Sequence, residues 1–229
     1  MAHEQWLLLA FVGLGMGLQA MAMDFDFYYY VSQWPGSYCA QSKKGCCLPT
    51  TRGPDEDFFT VGLYATTTAG TLVYMETSLS RKWPSIKCPS NNGISMSKSL
   101  SKNSGVCSNL LLVEYFEKGL VLHYQLNPRK ALKKHSLQAS CRLYQLTDIK
   151  QALKEEIGEE VGIRCSTNLE GEFQLYEVYV CIDKSFATGV IPCPTLPYFT
   201  CSDEILFPAF NVQMLKKNGT RNSLELQVE

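Results

Sequence analysis

The chain has 229 residues with 22 acidic and 21 basic side chains, a formal net charge of -1 and a pI of about 6.3. Hydrophobic residues make up 45% and charged residues 19%, an ordinary balance for one globular domain with a sizeable core. A general polyanion binder would carry a basic excess or stripe; none is visible, which leaves room only for a local patch.

Residues 1–22 read as a secretory signal. Trp6 to Leu18 is apolar and uncharged, too short to cross a bilayer comfortably, and Ala20-Met21-Ala22 is an A-x-A cleavage pattern. The residues before it lack Lys and Arg, so a buried N-terminal helix is the competing reading. No later stretch is apolar for long enough to span a membrane.

Phe25 to Val31 alternates, with Phe25, Phe27, Tyr29 and Val31 on one face and Asp26, Tyr28 and Tyr30 on the other, which predicts a strand with at least one buried side. Trp34-Pro35-Gly36 should end it in a turn. Cys39 to Pro54 reads as a loop, and Asp57 to Tyr64 as a second strand. Ser90 to Ser108, rich in Ser, Asn, Gly and Lys, reads as an exposed loop. A helix is expected over Leu110 to Leu122. A clearer one runs from Thr147 to Ile157, with Thr147 able to cap it, Ile149, Leu153 and Ile157 on one face, and Gly158 able to stop it. Glu172 to Ile182 is strongly β-prone. The tail after Phe210 is polar and expected to be poorly ordered. It holds the sequon Asn218-Gly219-Thr220, making Asn218 a candidate glycan site.

All ten cysteines follow the signal, and an even count in a secreted chain reads as a disulfide framework. Zinc is the competing reading, but Cys46 and Cys47 are adjacent and no C-x-x-C occurs. No metal or cofactor is expected.

FDFYYYVSQWPGSYC at residues 25–39, followed by Cys46-Cys47 and Pro49-Thr50-Thr51, resembles the N-terminal signature of the ribonuclease T2 family in its plant S-like branch. Trp83-Pro84 with Cys88-Pro89, the helix Asp148 to Gly158, Cys165, the strand Gln174 to Asp183, Ile191-Pro192-Cys193-Pro194, Cys201 and Ile205 to Phe210 follow in family order. The likeness covers about residues 25–210. It implies an α+β fold, a central antiparallel sheet with several helices, over residues 23–210, leaving 211–229 as a C-terminal extension that is disordered or serves sorting. It also implies the disulfides Cys39–Cys46, Cys47–Cys88, Cys165–Cys201 and Cys181–Cys193. Two family cysteines, expected near Thr77 and Leu122, are missing together. Cys107 and Cys141 are left over, either as a replacement bridge or as free or intermolecular thiols.

The family cleaves RNA through a 2′,3′-cyclic phosphate, using one imidazole to take the 2′-OH proton and another to protonate the leaving oxygen. Its first active segment contains HGLWP; here the matching stretch is Val61-Gly62-Leu63-Tyr64-Ala65, with Val61 at the imidazole position. Its second reads like HEWEKHG. Here Glu114 falls at the first His, Tyr115 at the catalytic acid and Gly119 at the second His, while Lys118 matches a catalytic residue and Glu117 a flanking one. This frame is open by one residue, because the preceding loop differs in length, and no frame supplies a His. General acid–base assistance contributes on the order of 10²–10⁴ per group, so losing both partners should remove nearly all turnover. Glu114 is a poor substitute base, since a carboxylate ~4 Å from an RNA phosphate is repelled by ~1–4 kcal/mol. After signal removal only His123 and His135 remain. His123 lies one helical turn past Gly119, and a surface or packing role is the bland alternative for both.

Gln33 matches a family residue near a base-binding site, although QWPGSYC also reads simply as sheet packing. Tyr64 retains an aromatic face able to stack a base. Lys98, Lys102, Arg129, Lys130, Lys133 and Lys134 read as solvated basics. These features predict a catalytically inactive relative; the resemblance to inactive plant members of the family implies that it accumulates as a vegetative storage protein, a nutrient reservoir, outside the cell or in the vacuole. The alternatives are residual RNA cleavage through Glu114, Lys118 and His123, or a non-catalytic RNA- or protein-binding module. No obligatory partner is evident, strong RNA binding is not expected, and no membrane association is expected once the signal is removed.

Overall fold

A computed structural model describes residues 25–50, 53–66, 72–73, 85–90, 110, 112–140 and 142–216. The expected signal, most of the 90–108 loop, Cys107, Cys141 and Asn218 lie outside these residues.

Strand β1 (Phe27–Gln33) runs through the middle of the sheet because both its faces are apolar or aromatic. It pairs antiparallel with β2 (Phe59–Thr66) on one side and β6 (Phe173–Asp183) on the other. With β3 (Leu72–Val73), β4 (Leu143–Gln145), β5 (Gly162–Thr167) and β7 (Glu204–Leu206), the order is β3-β2-β1-β6-β7-β4, and β5 pairs with β6 off this path. The pairing is antiparallel except at Gln174↔Leu206, where β6 meets β7 in parallel. Together with the helices this is an α+β fold.

The two faces of β1 feed two cores. Tyr28 and Tyr30 enter the larger one, with Leu63, Ala65, Leu132, Ile149, Leu153 and Val180. Phe27, Tyr29 and Val31 enter a smaller one with Tyr64, Tyr179 and Cys181. Trp34 is completely buried, with its ring 4.9 Å from Phe207 and 5.1 Å from Phe58, and its indole N–H donates to the Pro208 carbonyl at 2.7 Å. Such a residue contributes ~1.5–3 kcal/mol through burial alone. A Cβ on Gly36 would stand 2.6 Å from Trp34 Nε1 and 2.9 Å from the Ala209 carbonyl oxygen, so only glycine fits beneath the indole.

Helix α2 (Leu112–Leu126) buries Tyr115, Gly119, Leu122, His123 and Leu126, a stripe at helical spacing, and it continues one turn past the expected end at Leu122. Helix α4 (Leu146–Ile157) stops at Gly158, whose φ of 95° suits glycine and whose N–H reaches the Lys154 carbonyl. Its start corrects one expectation: Thr147 lies inside the helix, and Gln145 stands at the N-cap without a side-chain cap. Trp34-Pro35-Gly36 is likewise no simple turn. It opens the short helix α1 (Pro35–Ala40), because proline's fixed φ suits the first helical position. Helix α3 (Pro128–Lys134) was not anticipated, although its Asn-Pro start is legible: the Asn127 side chain accepts from the Lys130 N–H.

The four disulfides implied by the resemblance are formed, Cys39–Cys46, Cys47–Cys88, Cys165–Cys201 and Cys181–Cys193. The domain also runs past the expected boundary at 210. A 3-10 turn (Val212–Met214) delivers Leu215 into the core, and Lys216 makes a parallel bridge to Cys47. Its N–H donates to the Cys46 carbonyl at 3.0 Å and its carbonyl accepts from Leu48 at 2.9 Å. Apolar residues at 212 and 215 hold this stretch, which polarity averaged over the whole tail conceals. Among the described residues no helix is long and apolar enough to cross a membrane.

Candidate functional site

Val61 is the extra residue of a bulge in β2. Thr60 faces Ser32 and Gly62 faces Val31, so Val61 falls between two consecutive pairs of the β1–β2 register. A bulge re-aims a side chain and often lies beside a functional site. Here the re-aimed side chain is half-buried against the smaller core. Tyr64 is itself buried in this layer, so its ring face is packed.

Helix α2 crosses the opposite face. Tyr115 is buried there; its hydroxyl accepts from the Leu63 N–H at 2.8 Å and lies 3.3 Å from the Leu63 carbonyl oxygen. Glu114, Glu117 and Lys118 are exposed, and Gly119 is buried. The Lys118 ammonium lies 4.9 Å from the centre of the Phe186 ring, which in turn stacks on Tyr28. The helix is thus tied to β2 through Tyr115, next to Gly62 and Val61, while its charged residues face outward.

His123, 2% exposed, is held inside the larger core. Its Nδ1 is 3.3 Å from Thr60 Oγ1, and that hydroxyl is 3.0 Å from the Tyr30 hydroxyl. Its Nε2 is 3.9 Å from Asp57 Oδ2. His135 ends α3, where its Nε2 lies 3.3 Å from Glu156 Oε1 and 3.7 Å from Glu155 Oε2. The two imidazoles therefore belong to separate clusters.

Gln33 joins a polar network on the smaller-core face. Its Nε2 donates to Glu177 Oε1 at 3.1 Å, while Glu177 Oε2 accepts from Arg164 Nη1 at 3.1 Å and from the Tyr179 hydroxyl at 2.9 Å. Glu177 is 5% exposed, so these donors hold a buried carboxylate. Burial works against the Arg164 charge, yet Glu177 beside it raises the guanidinium pKa overall. Burial and the nearby Glu177 charge push the Tyr179 phenol well above its ordinary value. Glu177, Arg164 and Tyr179 escape sequence reasoning; the only signal is an acid inside the apolar strand YEVYV.

A bulged, aromatic-rich antiparallel sheet crossed by one helix and bound by four disulfides defines a protein class. The model of the Ribonuclease T2 family matches residues 25–193. The chain is 36% identical over 198 residues to "Ribonuclease 1" of Arabidopsis thaliana, covering 79% of this chain and 85% of that protein. It is 33% identical to "Extracellular ribonuclease LE" of Solanum lycopersicum, covering 79% and 86% of the two chains. Among solved structures it is similar to RNase NT in complex with 5′-AMP, with a TM-score of 0.71, 34% identity, and coverage of 82% of this chain and 100% of that one. The chain belongs to the ribonuclease T2 family.

Proposed function

We propose that this family member no longer cleaves RNA and serves as a nutrient reservoir, delivered through the secretory pathway to the cell exterior or the vacuole. The observation that carries the reading is Val61 in the bulge of β2: the family likeness sets this valine at the position where the family's chemistry needs an imidazole. Valine transfers no proton, and no residue from 112 to 122 on α2 is a histidine.

The packing of Tyr115 favours the second of the two frames for the helix. With VEYFEKG set against HEWEKHG, Glu114 meets Glu, Tyr115 meets Trp and Gly119 meets Gly. A buried aromatic on β2 suits the Trp place better than the place of a catalytic acid. In that frame Val113 and Lys118 stand at the histidine positions, and the deficit is unchanged. His123 offers no rescue, because it is sealed in the core on Thr60 and Asp57. Residual cleavage would need it to reach solvent. The four disulfides support a reservoir, since each contributes ~2–4 kcal/mol and the fold can outlast its chemistry.

The test is RNA digestion by the purified, disulfide-intact protein from acid to neutral pH, beside an active family member. The expected result is no turnover above buffer. Robust cleavage that disappears in Glu114→Gln or His123→Ala would overturn the inactive assignment. The reservoir assignment requires the protein to rank among the most abundant in its tissue and to decline when that tissue mobilises reserves.

A further inference from the structure

The segment Cys193-Pro-Thr-Leu-Pro-Tyr-Phe-Thr-Cys201 belongs to no helix or strand, yet its exposure alternates strictly. Pro192, Pro194, Leu196, Tyr198 and Thr200 are exposed, while Ile191, Cys193, Thr195, Pro197, Phe199 and Cys201 are half-buried. That is the period of extended chain, and after a bend at Pro194 and Thr195 it holds over Leu196 to Thr200. No residue from Val190 to Cys201 has a positive φ. Among the described residues, Leu196 to Thr200 make no backbone–backbone hydrogen bond.

Both ends of the segment are fixed to neighbouring strands, Cys193 to Cys181 of β6 and Cys201 to Cys165 of β5. Its inward residues are fixed as well. The Tyr29 hydroxyl donates to the Thr195 carbonyl at 2.5 Å, and the Phe199 ring lies 5.0 Å from that of Tyr179. Leu196 and Pro197 lie over Gly162. The one large side chain turned fully outward is Tyr198, 93% exposed.

We propose that this loop is a substrate-like inhibitor of a serine endopeptidase whose specificity pocket accepts aromatic side chains, with Tyr198 in the pocket and the Tyr198–Phe199 bond presented to the nucleophile. Such enzymes hold their substrates as an added extended strand, read at alternate side chains, with one residue inserted in an apolar slot. With Leu196 to Thr200 already extended and the segment tied at both ends, little freedom is lost on docking. Pro197 fixes φ immediately before the presented residue.

The same anchors explain why the loop resists turnover. Attack by the serine oxygen on the Tyr198 carbonyl carbon passes the serine proton to the enzyme's histidine. The C–N bond then breaks, the proton moves to the Phe199 nitrogen, and an acyl-enzyme remains. In a loose peptide the amine departs and water takes its place. Here Phe199 stays packed on Tyr179 beside the Cys201 bridge, and the acyl half stays tied at Cys193 and Thr195. The amine remains within reach of the ester and re-forms the amide.

The experiment titrates chymotrypsin, and separately trypsin, with the native disulfide-intact protein, following hydrolysis of a small chromogenic substrate and the mass of the chain. The expected result is stoichiometric inhibition of chymotrypsin with the chain largely uncut. Tyr198→Ala should weaken it ~100-fold, as for an interface anchor. Tyr198→Lys should lose chymotrypsin and gain trypsin, whose pocket carries a carboxylate. Both variants should melt like the parent, because the side chain is exposed. Absence of inhibition, rapid cutting at Tyr198, or inhibition indifferent to both substitutions would each overturn the proposal.

Discussion

The hydroxyl of Tyr115 stands 2.8 Å from the backbone nitrogen of Leu63 and 3.3 Å from its carbonyl oxygen, so one side chain of α2 serves both polar groups of one β2 residue. Among the described residues, the pairing of β3 with β2 covers Ala65 and Thr66. Tyr115 thus joins α2 directly to the backbone of β2.

Tyr115→Phe should therefore destabilise the protein by ~1–3 kcal/mol, because it strips a buried N–H of its acceptor. Tyr115→Ala should cost ~3–5 kcal/mol through the cavity it adds. Urea melts of the two variants check the order, and an exposed change such as Glu117→Gln should leave the midpoint in place.

The C-terminal boundary makes a second test. A chain ending after Lys216 keeps the buried Leu215 and the pairing with Cys46 to Leu48, and should melt with the parent. One ending after Phe210 loses both, and the loss of Leu215 burial alone should cost ~1.5–3 kcal/mol. Equal melting of the two truncations would show that the stretch contributes nothing.

His123→Ala should behave as a core lesion, losing ~2–5 kcal/mol as the Thr60 hydroxyl and the space beside Tyr30 are abandoned. RNA digestion should be the same before and after. A stability loss without an activity change separates packing from chemistry.

Alkali probes the aromatic layers. Burial raises the phenols of Tyr28, Tyr30 and Tyr179 well above their ordinary value of 10.0. In each case the folded pKa lies above the unfolded one. Their contribution is complete below about pH 10 and is lost as the pH climbs beyond it. Near-ultraviolet titration should show these phenols ionising only with unfolding.

The strands β1, β2 and β6 and the helix α4 were legible because alternation and four-residue spacing survive in single-sequence form. β4 and β7 were not, each being three residues long and too short for any period to emerge. The polar tail misled for a related reason: two apolar anchors, Val212 and Leu215, decide its docking, and composition averages them away. At the site, the sequence located Val61 and the helix but could not reveal that Tyr115 is a packing residue, since that depends on which face of α2 meets β2. Gln33 was read as a base contact or as packing; its partner Glu177 lies far along the chain, and only pairing in register brings the two together.

The bulge at position 61 leaves one residue surplus to the ladder. Thr60 with Ser32 and Gly62 with Val31 are already consecutive pairs on β1, so excising Val61 would let the two strands zip evenly without changing a single partner. The insertion is thus additional to the residue pairing of β1 with β2. The side chain at that position can be exchanged while the pairing of β1 with β2 stays as it is.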